Sequence, residues 1–106
     1  MGPALQALED NYLYLNANYD QLKARYPDSQ KAGFATQFVT ARSNYWTAIS
    51  KILHDDDPRV QALVTEMNAA QTALEADVTA LAGIATIMND ITTAVQIGTK
   101  IAALAV

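Results

Sequence analysis

From Val60 to Val106 apolar residues return every seven positions almost without a fault. Stacked in sevens the stretch reads VQALVTE, MNAAQTA, LEADVTA, LAGIATI, MNDITTA, VQIGTKI, AALAV. The first column, Val60, Met67, Leu74, Leu81, Met88, Val95 and Ala102, is apolar throughout, and the sixth carries Thr65, Thr72, Thr79, Thr86 and Thr93 before Lys100. A seven-residue repeat of this length is the period of a helix that keeps one seam against a partner helix.

Two shorter helices precede it. Leu5, Leu8, Tyr12, Leu15, Tyr19, Leu22 and Tyr26 recur at alternating steps of three and four, which puts them in one stripe on one helical face. Pro3 suits the first helical position, and Tyr26-Pro27 ends the run because the residue before a proline avoids the α region. The pattern predicts helix 1 from Pro3 to Arg25, with a solvated far face bearing Asp10, Asn11, Asn18, Gln21 and Arg25. Asp28 or Ser29 can cap a second helix running from Gln30 to Leu53. Phe34, Phe38, Ala41, Tyr45, Ala48 and Ile52 form its main seam. Val39, Trp46, Ile49 and Leu53 widen that seam into a face broad enough for more than one neighbour.

Asp57-Pro58 is the clearest helix start in the chain, a capping carboxylate followed by a proline at the first helical position. It opens a third helix running from Pro58 to Ala105, which a turn at 83–86 would divide, with Gly83 closing one half and Thr86 capping the next. The repeat passes through Gly83 without a change of phase, and Gly83 falls in the small column with Ala62, Ala69 and Ala76. One continuous helix is therefore the favoured expectation. It would be about 70 Å long, twice the length of the others, and its far half would lack an internal partner. The fold class is all-α: a single domain, an antiparallel helical bundle of three helices with a long C-terminal heptad-patterned helix, or of four helices if the chain turns near Gly83.

Composition removes several function classes. The chain is 51% apolar and 17% charged over 106 residues, so charge excess does not argue for disorder. A net charge of −4 and scattered basic residues speak against a nucleic-acid surface. Without cysteine there is no disulfide, thiolate metal site or cysteine nucleophile. Met1-Gly2-Pro3 leads directly into a helical pattern, so no signal peptide is expected and a cytoplasmic location is the default.

Each candidate for chemistry has a structural explanation. His54-Asp55-Asp56-Asp57 lacks the alternating spacing of a calcium loop and reads as a helix cap; no metal, cofactor or catalytic residue is expected. His54 is the only histidine, and no Glu-x-x-His pair or glycine-rich phosphate loop occurs, so an enzyme is not expected. Asp77 falls at the d position of the repeat, where Lys23, Arg25, Arg42 or Lys51 could pair with it, or where it reaches water at the seam's edge. Tyr12, Tyr19 and Tyr26, one heptad apart, with Tyr45 and Trp46 on helix 2, would either line a ligand groove or pack at the edge of the core.

The segment from Val78 to Val106 holds only Asp90 and Lys100 as charges. Leu81, Ile84, Met88, Ile91, Val95, Ile97, Ile101 and Leu104 spread over most of its circumference, which calls for burial on several sides. The leading expectation is a non-enzymatic assembly or protein–protein interaction module, a homo-oligomer or one that takes a helical partner, associating through these residues. A membrane-active protein that docks or inserts residues 78–106 is the alternative. It is disfavoured because Asn89-Asp90 interrupts the segment and its polar face lacks Lys and Arg. A bundle holding a small apolar ligand beneath the tyrosines is the third.

Overall fold

The computed structural model describes all residues 1–106; most of the predicted seam residues lie on helices, with Tyr26, Ile52, Leu53 and Leu81 in the connections, and two of the three predicted helices are broken. The all-α chain runs α1 (Pro3–Ala17), α2 (Tyr19–Arg25), α3 (Lys31–Ile49), α4 (Pro58–Thr79) and α5 (Ile84–Ala103), with a single 3₁₀ turn at Asp28–Gln30.

Helix 1 is interrupted at Asn18, whose side-chain amide donates to Tyr14 O at 2.9 Å. Asn18 leaves helical geometry (φ −109°, ψ 15°), yet its own N–H still donates to Tyr14 O at 3.1 Å and its C=O still accepts from Leu22 N–H at 2.9 Å, so the buried stripe of Leu15, Leu22 and Tyr26 continues across the break. Helix 2 stops at Ile49, four residues short of the predicted end. Ile52 instead exchanges two backbone hydrogen bonds with Val106, at 2.8 and 2.9 Å, tying the loop to the C-terminal residue.

The long third helix does not form. α4 ends at Thr79 and α5 begins at Ile84. Leu81 adopts φ 56°, Ala82 N–H donates to Asp77 O at 2.9 Å, and Leu81 N–H donates to Val78 O at 3.1 Å. This is the reciprocal pair of bonds of a Schellman stop, with leucine in the left-handed position that glycine usually takes. Gly83 lies at the start of α5 with an ordinary φ of −57°. Arg25, predicted to face solvent, donates from Nη2 to Ala82 O at 2.7 Å and fastens this turn to α2.

Opposing residues give the helix directions. Tyr12 contacts Phe38 and Tyr45, while Tyr19 contacts Phe34 and Phe38, so α1 and α3 run in opposite senses. Gln37 bonds Thr92 and Asn44 bonds Thr99, so α3 and α5 ascend together.

Two apolar clusters make the core. One, near the α4–α5 turn, gathers Leu15, Leu22, Tyr26, Phe34, Leu74, Ile87, Ile91 and Val95; the other, at the opposite end, gathers Leu8, Ala48, Val60, Val64, Met67 and Ile101. Between them lies a polar layer with one residue from each of four helices: Asn11, Asn44, Gln71 and Gly98. Asn11 Nδ2 donates to Gln71 Oε1 at 2.9 Å, and Asn44 Nδ2 donates to Thr99 Oγ1 at 3.2 Å. Asn11, expected on the solvated face, is thus 2% exposed. Its amide is satisfied only when α1 and α4 hold one register, which is how a buried polar residue specifies alignment.

Candidate interaction surface

The eight residues expected to mediate association are placed unequally. Ile91, Val95 and Ile101 are buried in the chain's own core, and Ile84, Met88, Ile97 and Leu104 are half-buried against it. Leu81 alone is freely exposed, at the tip of the α4–α5 turn. The premise of a far half without an internal partner is corrected by that turn, which folds α5 back onto α4 and covers its apolar circumference. No helix is long and apolar enough to cross a membrane.

Asp77 has a different neighbour from any of the four bases considered for it. The reversal sets it beside Asp90 of α5, one of whose carboxylate oxygens is shielded from solvent without a hydrogen-bond donor. Burial first, then the hydrogen bond and charge of Asp77, push the Asp90 carboxyl up to about 6. The folded chain therefore holds this proton more tightly than the unfolded chain, whose aspartates titrate near ~3.9. The associated stability is complete below about pH 4 and is lost as pH rises through about 6. The melting temperature should fall by about 5 °C from pH 4.5 to 7.5. Asp90→Asn, whose amide donates to Asp77 at every pH, should melt higher than wild type at pH 7.5 and show a flatter profile. A wild-type melt indifferent to pH over this window, and unchanged by Asp90→Asn, would remove the carboxyl pair from the account.

The acidic corner is occupied by capping. Asp57 accepts from Arg59 N–H at 2.8 Å and from its guanidinium at 2.7 Å, and the guanidinium bond holds its carboxyl down to about 2. Asp55 reaches across to accept from Ala4 N–H at 3.0 Å, satisfying a free donor in the first turn of α1. No three carboxylate or imidazole groups are arranged so that they could hold a metal ion.

The tyrosine stripe fills itself. Tyr12, Tyr19 and Tyr26 pack on Phe34, Phe38 and Tyr45 with ring centroids 4.9 to 5.9 Å apart, which closes the space a flat ligand would need between α1 and α3. Tyr45 donates to Glu9 Oε2 at 2.6 Å, sealing the ladder at one end.

The outer face of α3 has no such cover. Val39, Trp46 and Ile49 are 47%, 60% and 47% exposed. With Arg42 they recur at steps of three, four and three, so they form one stripe. Ile52 and the paired Val106 extend the apolar surface past the end of the helix, both more than half exposed. The sequence signalled this face as broad enough for more than one neighbour. α1 and α5 take the sides of α3 that carry Phe38, Tyr45, Gln37 and Asn44, and the stripe is left outside.

Searches against protein-family models, curated proteins and solved structures find no match to this chain.

Proposed function

We propose that the chain is a non-enzymatic helical assembly module that associates with another copy of itself through the outer face of α3. The observation that carries this reading is the Val39–Trp46–Ile49 stripe: three large apolar side chains in one row, each about half exposed. Isolated exposed apolar residues are ordinary, but a contiguous row on one helix is a docking face. Association is assigned to α3 rather than α5 because the apolar residues of α5 already lie against their own chain. The helices are read as a four-cornered bundle, α1 with α2, α3, α5 and α4 in turn around its axis, which turns one side of α3 outward. The capping roles of Asp55 and Asp57 support a non-enzymatic reading, since they give the one acidic cluster a structural task.

The test uses the single tryptophan. Sedimentation equilibrium from micromolar to millimolar protein should show a mass rising to at least twice 11.4 kDa, with Trp46 emission shifting to the blue as it is covered. Replacing Val39, Trp46 and Ile49 together by Ser should leave an equally helical monomer. Wild-type protein that stays monomeric across the whole range would overturn the reading.

A second reading, small-ligand binding, has one observation in its favour. A groove of about 290 Å³ beside Phe34 and Met88 is lined in part by Tyr26. The Tyr26 hydroxyl is buried without a partner, and burial pushes its pKa up to about 12, so it remains a neutral donor.

A further inference from the structure

Charge is segregated between the two adjacent helices of the exposed side. α1 (Pro3–Ala17) carries Glu9 and Asp10 and no Lys or Arg, while α2 beyond the break carries Asp20 together with Lys23 and Arg25. From Lys31 to Leu53 the chain carries Lys31, Arg42 and Lys51 and no Asp or Glu. The outer side of α1 has its own stripe, Gln6, Asp10, Leu13, Ala17 and, past the break, Asp20, all exposed, with Leu13 47% exposed. One side of the protein therefore presents an acidic helix with an apolar centre beside a basic helix with an apolar centre.

The two stripes are level with each other. The Tyr12 ring lies 5.9 Å from Phe38 and 5.8 Å from Tyr45, so the Asp10–Leu13 turn of α1 stands at the height of Arg42 on α3. A twofold axis parallel to the helices keeps every residue at its height while exchanging left for right. That operation lays α3 of one copy on α1 of the other, and the reverse, with antiparallel helices in both contacts.

We propose that the partner on this face is a second copy in that arrangement: Arg42 of each copy meets Asp10 of the other, and Leu13 enters the apolar stripe of Val39, Trp46 and Ile49. This rests on the self-association proposed above and fixes its geometry. Two features select it. Stacking α3 on its own twin would set Arg42 against Arg42, and like charges facing across an interface oppose association. Asp10 and Arg42 are both exposed and engaged only within their own helices, Asp10 by Gln6 Nε2 at 2.8 Å and Arg42 over the Phe38 ring, whereas Glu9 is already bound across helices by Tyr45. Two helices some 22–28 Å long, each about 10 Å wide, offer a projected face of about 500 Å², below the ~800 Å² per partner of a standard interface and suited to a weak, concentration-dependent dimer.

Charge exchange tests the arrangement. Arg42→Glu and Asp10→Arg should each weaken the dimer at least about tenfold, because each places like charges at both symmetric contacts. Both changes on one chain should restore the dissociation constant to within about threefold of wild type, and an equimolar mixture of the two single variants should form a mixed dimer. Circular dichroism checks that all variants stay folded. If the stacked helices were instead α3 on α3, Arg42→Glu would only exchange one like-charge pair for another, and neither the single changes nor the double variant would weaken the dimer. That result, or a double variant as weak as Arg42→Glu, overturns this geometry and leaves self-association standing. A monomeric wild type overturns both.

Discussion

Replacing Val95 and Ile101 together by Asp should abolish the fold. Val95 is 5% exposed in the cluster beside the α4–α5 turn, and Ile101 is fully buried in the cluster at the other end. One pair of substitutions thus strikes both halves of the core. A carboxylate placed among apolar side chains costs several kcal/mol unless it is paired. Lys100, the only base on α5, is itself exposed, and no Lys or Arg is among the buried residues that could neutralise a carboxylate in the core. Two such insertions, against a stability of about 5–15 kcal/mol for a domain of this kind, leave no folded state to populate. The expected result is a far-ultraviolet circular dichroism spectrum of an unfolded chain at neutral pH and no cooperative melt. The matched control puts Asp at Leu81 and Val39, both exposed, and should keep full helicity. A double core variant that remains helical and melts cooperatively would show that α5 does not supply the chain's own core.

The same two residues show how far the sequence could be read. Their apolar character and seven-residue recurrence placed them on a helix seam, and they do lie on one. Period alone could not tell whether that seam meets another chain or turns back on its own. A heptad repeat reports which residues share a face, and it stays in phase through a reversal when both helices carry it. The usual marker of a reversal was missing as well, because the left-handed position after α4 is filled by Leu81 rather than by glycine. Gly83, where a stop was sought, opens the next helix instead. From that one misplaced boundary follow the pairing of Asp77 with a base, in whose place the reversal brings Asp90, and the premise that the C-terminal segment lacked a partner within the chain.

Asn11 was legible in principle. It falls between Leu8 and Leu15 on the buried side, and Gln71 falls likewise between Met67 and Leu74, so an amide interrupts each of two apolar seams within one heptad. A polar residue at a seam position reads as solvated until its partner is known, and the partner here is 60 residues away. The spacing of Val39, Trp46 and Ile49 marks a second face of α3 in the sequence itself. Helical period identified its members, and only the placement of α1 and α5 revealed that nothing in the chain covers it.

The sharpest check on how closely the helices approach comes from two glycines whose substitutions should act in opposite directions. Gly33 lies on the exposed side of α3, and a Cβ built there meets nothing within 4 Å. Gly33→Ala should therefore stabilise by about 1 kcal/mol, because alanine loses less backbone freedom in a helix than glycine does. Gly98 is buried in the polar layer. A Cβ there would lie 3.2 Å from Asn44 Nδ2, 3.3 Å from Leu8 Cδ2 and 3.5 Å from Met67 Cε, contacts supplied by three different helices. Alanine already requires Asn44 and Leu8 to yield by a few tenths of an ångström, while Met67 remains in ordinary contact. Valine adds two methyl groups and must push Asn44 away from Thr99 or Leu8 out of its packing. Overpacking of this kind costs about 1–3 kcal/mol, with a further ~1 kcal/mol if the Asn44–Thr99 bond is lost. Urea unfolding should show a midpoint lowered markedly for Gly98→Val and raised for Gly33→Ala. Near-equal midpoints for the two variants would mean that α5 does not approach α1, α3 and α4 as closely as Gly98 allows, and the polar layer would lose its role in setting their register.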